Sequence, residues 1–221
     1  MDPELRRAWT CIVTAEDYEE HMASIGQAQA AAELTEHLIR SASPRPGSRI
    51  TIAGAGTGQM FDFLDPALFR PHRLTCSDLN RMFLARLRER LERYEVEAEI
   101  LEDDIERTGL APGPDLLLCT LLLEHIAWRR GVEAFARLLP RTCGIVLQEN
   151  PPNMSSAVTP GRRLPPSIAK AVETAHPALV PRDDLITAMS ERGYRCRETE
   201  VREVADGKRL AGLLFEGREK E

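Results

Sequence analysis

Three glycines at alternate positions, Gly54, Gly56 and Gly58, follow directly on the apolar run 50–53. Glycine has no Cβ, so a flat ligand can lie against the main chain there and take its N–H groups as donors. Such a turn suits a nucleotide-like cofactor, and it equally serves as a plain strand-to-helix connection in α/β proteins. Asp78 adds a second element, because it ends the strand-like run 72–77 at roughly 20 residues beyond the turn, where an acid meets ribose hydroxyls. A carboxylate accepts both O–H groups, which no neutral side chain replaces, although Asp78 or Asn80 at this place also fits a helix cap. Glu124 and His125 follow the apolar run LLLCTLLL and are the candidates for acid–base work. Their alternative is structural, with Glu124 favouring a helix start and His125 packed or capping.

A further set of residues is placed to shape a pocket. Tyr18, His21 and Met22 share a helix and read as a lid over a ligand, or as two core residues and one solvated histidine. The segment 150–180 carries five prolines up to Pro166, so irregular backbone is expected, with a short helix over 167–174. An insertion of this kind on a binding edge is often a lid, to which Asn150, Arg162 and Arg163 belong. The two arginines suit an anionic acceptor or simple solvation.

The elements that must position these residues follow from periodicity. Residues 14–40 read as helix, capped by Thr14 with Asp17 and broken near Gly26. The loop 41–48 then leads into the first strand, and a helix is expected from about Gln59. Strands over 72–77, 98–101, 115–123 and 143–148 alternate with helices over 81–94 and up to Pro140. A helix over 181–194 and two strands flanking Asp206-Gly207 close the chain. Repeated strand and helix units predict a parallel sheet with helices on both faces and a ligand edge at the strands' carboxyl ends. Gly54 to Gly58, Asp78, Asp104, Cys119, Thr120 and Glu149 all fall on that edge.

IAGAGTG, SDLN at 77–80, EDDI at 102–105 and DLLLCTLLLEHI at 115–126 resemble, in that order, the successive motifs of the class I S-adenosylmethionine-dependent methyltransferases. The resemblance covers residues 49 to about 150. It implies a Rossmann-like, doubly wound, mostly parallel seven-stranded sheet with a C-terminal β-hairpin, here with an N-terminal helical appendage over 1–45 in a single domain over 1–221. It implies S-adenosylmethionine as cofactor. Gly54, Ala55, Gly56, Gly58 and Gln59 would line its methionine moiety, Asp78 with Leu79 its ribose, Asp104 with Ile105 its adenine, and Cys119 with Thr120 the methionine side. The family usually has an acid at the position of Ile52, and this chain does not. A dinucleotide-binding oxidoreductase would want its third glycine at Gln59, and Asn150-Pro151-Pro152-Asn153 lacks the aromatic residue of the amino-methylating nucleic-acid enzymes.

Composition bounds the partners. A formal charge of −6 and a pI near 5.5 disfavour a nucleic-acid partner. Five scattered cysteines fit neither a disulfide framework nor a metal site, and no apolar run is long enough to span a bilayer. The expectation is a cytoplasmic methyltransferase for a small-molecule acceptor, its oligomeric state open, a homodimer included. The alternatives are a non-catalytic S-adenosylmethionine-binding module and a methyltransferase for protein or RNA.

Overall fold

The computed structural model describes residues 3–155, 157–159 and 161–217. Residues 1 and 2 of the expected appendage, and 156 and 160 of the expected insertion, lie outside the described residues.

Five strands, β1 (Arg49–Ala53), β2 (Arg73–Asp78), β3 (Ala98–Glu102), β4 (Leu116–Thr120) and β5 (Thr142–Glu149), run parallel. With β6 (Tyr194–Glu203) and β7 (Arg209–Gly217) they form a seven-stranded sheet in the order β3-β2-β1-β4-β5-β7-β6, β7 antiparallel to both neighbours. The hairpin turns at Asp206 and Gly207, both at positive φ. This is the expected doubly wound α/β class. The central strands are apolar on both sides because both faces are covered. Ile50, Ile52, Leu116 and Leu118 pack on one face with Leu84, Leu87 and Leu91 of α4 (Arg81–Arg93). Leu117, Cys119, Ile145 and Leu147 face α5 (Trp128–Leu138) and α7 (Arg182–Glu191) on the other.

The strand order reverses between β1 and β4, which opens a crevice at their carboxyl ends. Gly54, Gly56 and Gly58 all have positive φ there, a backbone that L side chains rarely adopt. The chain then makes one 3₁₀ turn, Gln59–Asp62, in place of the expected helix, since Asp65 and Pro66 restart the backbone in a second short turn. β4 is also shorter than expected. Leu121 takes a φ of 53° and bends the chain, so Glu124 and His125 sit in a 3₁₀ turn, Leu123–His125.

The expected N-terminal helix is two helices, α2 (Ala15–Ser24) and α3 (Gln27–Ala42), divided at Gly26 with φ 72°. Thr14 accepts the Asp17 N–H as the cap. Ahead of them lies a segment the periodicity reading passed over, α1 (Pro3–Arg7) continuing into a π-helical turn, Ala8–Ile12. It packs with Phe83 and with α6 (Pro166–Val172), the short helix of the proline-rich insertion. Buried Arg90 on α4 ties these layers together. It bonds to Glu19 of α2, to Asp62 and to the Thr57 carbonyl inside the glycine turn.

The glycine turn is thus partly a packing device. A Cβ on Gly58 would stand 2.4 Å from a Leu87 methyl, whereas one on Gly56 meets nothing nearer than 3.9 Å. Gly58→Ala is expected to lose about 2–5 kcal/mol from left-handed strain plus overpacking, and Gly56→Ala only the backbone part, about 1–2 kcal/mol. Urea denaturation of both variants tests this, and equal losses would contradict the packing role of Gly58.

Candidate functional site

The crevice is built on one hydrogen bond. Asp78, at the end of β2, accepts the Gly56 N–H at 2.9 Å through Oδ2 and the Asn80 N–H at 2.8 Å through Oδ1. Burial raises the pKa of Asp78, and backbone N–H groups of Asn80, Gly56 and Leu79 oppose that rise. Asn80 caps α4 by accepting from the Met82 and Phe83 N–H groups, so the helix cap belongs to Asn80 and Asp78 is left to the crevice. Gly54, Gly56, Asp78, Leu79, Asp104, Ile105 and Thr120 line the space.

A cover lies over this space. Asn80 donates to the Trp9 carbonyl at 2.6 Å, and the Trp9 ring stands edge-on to His125 at 4.4 Å and to Tyr18 at 6.0 Å. Arg6 pairs with Asp104. The space beneath measures about 80 Å³ for the centres of water molecules, with Trp9 of this cover in its wall.

A second cavity, about 90 Å³ by the same measure, shares Trp9, Tyr18, Leu121 and His125 with the first. Its walls are chiefly apolar, from Leu5, Val13 and Met22 on the N-terminal side and Ile168, Ala171 and Val172 of α6. Glu124 is the carboxylate in it and is 3% exposed. Its Oε1 accepts the Gln148 N–H at 2.7 Å, while its buried Oε2 has no hydrogen-bond partner. Burial lifts the Glu124 pKa from 4.5 to about 7, against the Gln148 amide that lowers it. Burial alone carries His125 the other way, to about 4, and its Nδ1 is also unpartnered. Tyr18 is held in its phenol form, by burial first and then by the charges of Asp78, Glu19 and Glu124. The arrangement offers a neutral imidazole, a phenol and a carboxylate that titrates near neutrality, between an apolar chamber and the crevice lined by Gly56 and Asp78.

Of the residues expected from sequence, Tyr18, His21, Met22, Glu124 and His125 meet in the second cavity. Gly54, Gly56, Asp78, Leu79, Asp104, Ile105 and Thr120 meet in the first. Others stand elsewhere. Cys119 is fully buried in the core, because it alternates with Thr120 along β4 and points to the α5 face. Gly58 backs onto Leu87, the Ala55 N–H is bonded to the Ser77 carbonyl, and Gln59 donates to the Glu19 carbonyl. Asn150 bonds to the Met154 carbonyl and to Gln148 within the insertion. Arg162 forms an ion pair with Asp206 of the hairpin turn, and Arg163 is exposed. Trp9, Arg6, Gln148 and Lys208 were not anticipated. Pro3 at a helix start followed by Leu5, Ala8, Trp9 and Ile12 was the available signal for the cover. Among the described residues no three metal-ligating side chains converge, and no helix is long and apolar enough to cross a membrane.

Residues 50–141, from β1 through α5, match the model of the methyltransferase domain family. Ribosomal RNA small subunit methyltransferase A of Leptothrix cholodnii is 32% identical over 80 residues, which make up 36% of this chain and 29% of that protein. The chain spans under a third of the length of the curated relatives it matches. Among solved structures, magnesium protoporphyrin IX methyltransferase from Synechocystis PCC 6803, with bound SAM, superposes with a TM-score of 0.66 at 13% identity, covering 97% of this chain and 90% of that one. The N-methyltransferase NodS from Bradyrhizobium japonicum, in complex with S-adenosyl-L-homocysteine, gives 0.60 at 18% identity over 87% and 88%. At these identities the likeness establishes the fold.

Glu124 supplies a pH test independent of any ligand. Its folded pKa lies above its ordinary value, so its contribution to stability is complete below about 4.5 and is lost as pH rises through about 7. Between those limits the wild type is expected to lose up to about 3 kcal/mol relative to Glu124→Gln, at 1.36 kcal/mol per pKa unit. Chemical denaturation of both proteins across that range reads the difference, and a constant difference would show that Glu124 is not desolvated.

Proposed function

We propose that the chain is an S-adenosylmethionine-dependent methyltransferase acting on a small molecule. The observation that carries this reading is the pair of adjoining spaces, a glycine- and Asp78-lined crevice and an apolar chamber with Glu124 in its wall. The residues fit the cofactor. Gly56 leaves the backbone open where a Cβ would narrow the cradle, Asp78 is the acceptor for ribose hydroxyls, and Ile105 gives an apolar surface for adenine. When bound, the cofactor supplies an activated methyl group on a sulfonium, a good leaving group for in-line displacement. The chain's own part is alignment and exclusion of water. Trp9, Tyr18 and His125 lie where the two spaces meet and would keep water from the reacting atoms. Glu124, ionised in a large fraction of molecules near neutral pH, would take the proton an acceptor N–H or O–H gives up.

The N-terminal segment 3–12 and the insertion helix α6 act in this reading as a joint lid. Their contacts are mostly apolar, and Arg6, nearly half exposed, adds a surface ion pair worth about 0.2–1 kcal/mol. A second reading, RNA as acceptor, draws on the 32% identity to the ribosomal RNA methyltransferase over 80 residues. The roofed apolar chamber and the net charge of −6 weigh against it.

Two measurements test the reading. Methyl transfer from labelled S-adenosylmethionine is expected to label a metabolite extract and not ribosomal RNA, and labelled RNA alone would overturn the small-molecule assignment. In calorimetry S-adenosylhomocysteine should bind far more tightly than NAD. Asp78→Ala is expected to raise its Kd about ten- to a thousandfold, from hydrogen bonds to a charged group worth about 1.5–3 kcal/mol each, with Asp78→Asn between. Unchanged affinity in a variant that melts early would assign Asp78 to the scaffold.

A further inference from the structure

Lys208 is the residue that the methyltransferase reading leaves unexplained. It follows the hairpin turn on the way into β7, is only 4% exposed, and its Nζ donates to the Ala157 carbonyl at 2.6 Å. Burial lowers its pKa, as expected of an ammonium withdrawn from water. Asp206 lies close by, but its carboxylate is already taken by Arg162 through both oxygens and by the Thr159 hydroxyl. Lys208, Arg162 and Asp206 therefore leave one positive charge over. His21 adds a neutral ring, kept so by burial and by the charges of Lys208 and Arg162, and its buried Nδ1 has no hydrogen-bond partner.

These groups surround a side cavity of about 30 Å³, counted for the centres of water molecules, that shares His21, Gln27, Gln148 and Ala157 with the apolar chamber. That is room enough for a small polar group such as a carboxylate. Buried positive charge is costly unless an anion and hydrogen bonds compensate it, and an incoming carboxylate supplies both. Gln148 fixes the geometry from below, since its Nε2 donates to the same Ala157 carbonyl at 2.9 Å and its backbone N–H holds Glu124.

We propose that this side cavity binds a carboxylate group of the acceptor, with Lys208 as the specificity-determining residue. The proposal rests on reading the apolar chamber as the acceptor site. An acceptor would then have an anionic end at Lys208 and His21, an apolar body along Met22 and α6, and its nucleophilic atom toward Glu124. Arg162 is a positioning residue, because it holds both oxygens of Asp206 and leaves the group with a net positive charge.

The test uses hexanoate and benzoate as probes against hexanamide and benzamide, titrated by ligand-observed NMR with and without S-adenosylhomocysteine. The wild type is expected to bind each carboxylate at least about tenfold more tightly than its amide, the effect of one charge-assisted hydrogen bond. Lys208→Met should erase that preference while leaving S-adenosylhomocysteine affinity unchanged. The wild-type comparison stands by itself if the variant does not fold. Equal binding of carboxylate and amide, binding of neither, or a preference that survives in folded Lys208→Met would each overturn the proposal. Failure of S-adenosylhomocysteine to bind the wild type, with the carboxylate preference intact, would count against the cofactor reading alone.

Discussion

The hydrogen bond from the Gly56 N–H to Asp78 is the interaction on which the rest of the site depends. A carboxylate deep in a crevice has to keep donors around it, and the nearest are main-chain amides, that of Asn80 just beyond it and that of Gly56 in the left-handed glycine turn. The bond links the ends of two neighbouring parallel strands, β1 and β2, and so fixes one edge of the crevice. The opposite edge is set by Leu121, whose positive φ ends β4 and turns Leu122 against Gly54. Between these two edges the sheet has no freedom to close the space.

Arg90 carries the same constraint outward. By bonding to the Thr57 carbonyl and to Glu19 together, it makes the glycine turn and α2 move as one body. Tyr18, adjacent to Glu19 in the chain, is thereby placed over Gly56. Its ring leans on Phe83 and Trp9, which brings in the cover formed by residues 3–12. The two cavities consequently share a wall of rings, Trp9, Tyr18 and His125. Glu124 is rigid on one oxygen and free on the other, the state of a group that can exchange a proton without losing its place.

Much of this was legible in the sequence, and the physics explains which parts were not. The parallel sheet could be read because a strand buried on both faces must be apolar at successive positions, as Leu116 to Cys119 are. The glycine turn and Asp78 could be read because few other residue types do their work. Cys119 could not be placed, since alternation decides which of two neighbours faces the crevice and a one-residue uncertainty in the strand's end inverts the answer. The helix expected at Gln59 failed because Gly58 and Pro66 leave room for a single turn. Arg162 was legible as a charge but not as a paired one, for Asp206 is brought to it only by the hairpin. Lys208 reaches the site through long-range packing, which no local pattern encodes, and Trp9 was marked only by the apolar spacing behind Pro3.

The central claim is that the crevice at Asp78, now covered by residues 3–12, is the cofactor site. A crystal structure of the protein with S-adenosylhomocysteine tests it most directly. The account predicts ribose hydroxyls on the Asp78 carboxylate, adenine beside Ile105, the Arg6 contact with Asp104 released, and the thioether facing Tyr18 and His125. Ligand bound elsewhere on the surface, with the Trp9 cover and the Arg6 contact unchanged, would contradict it.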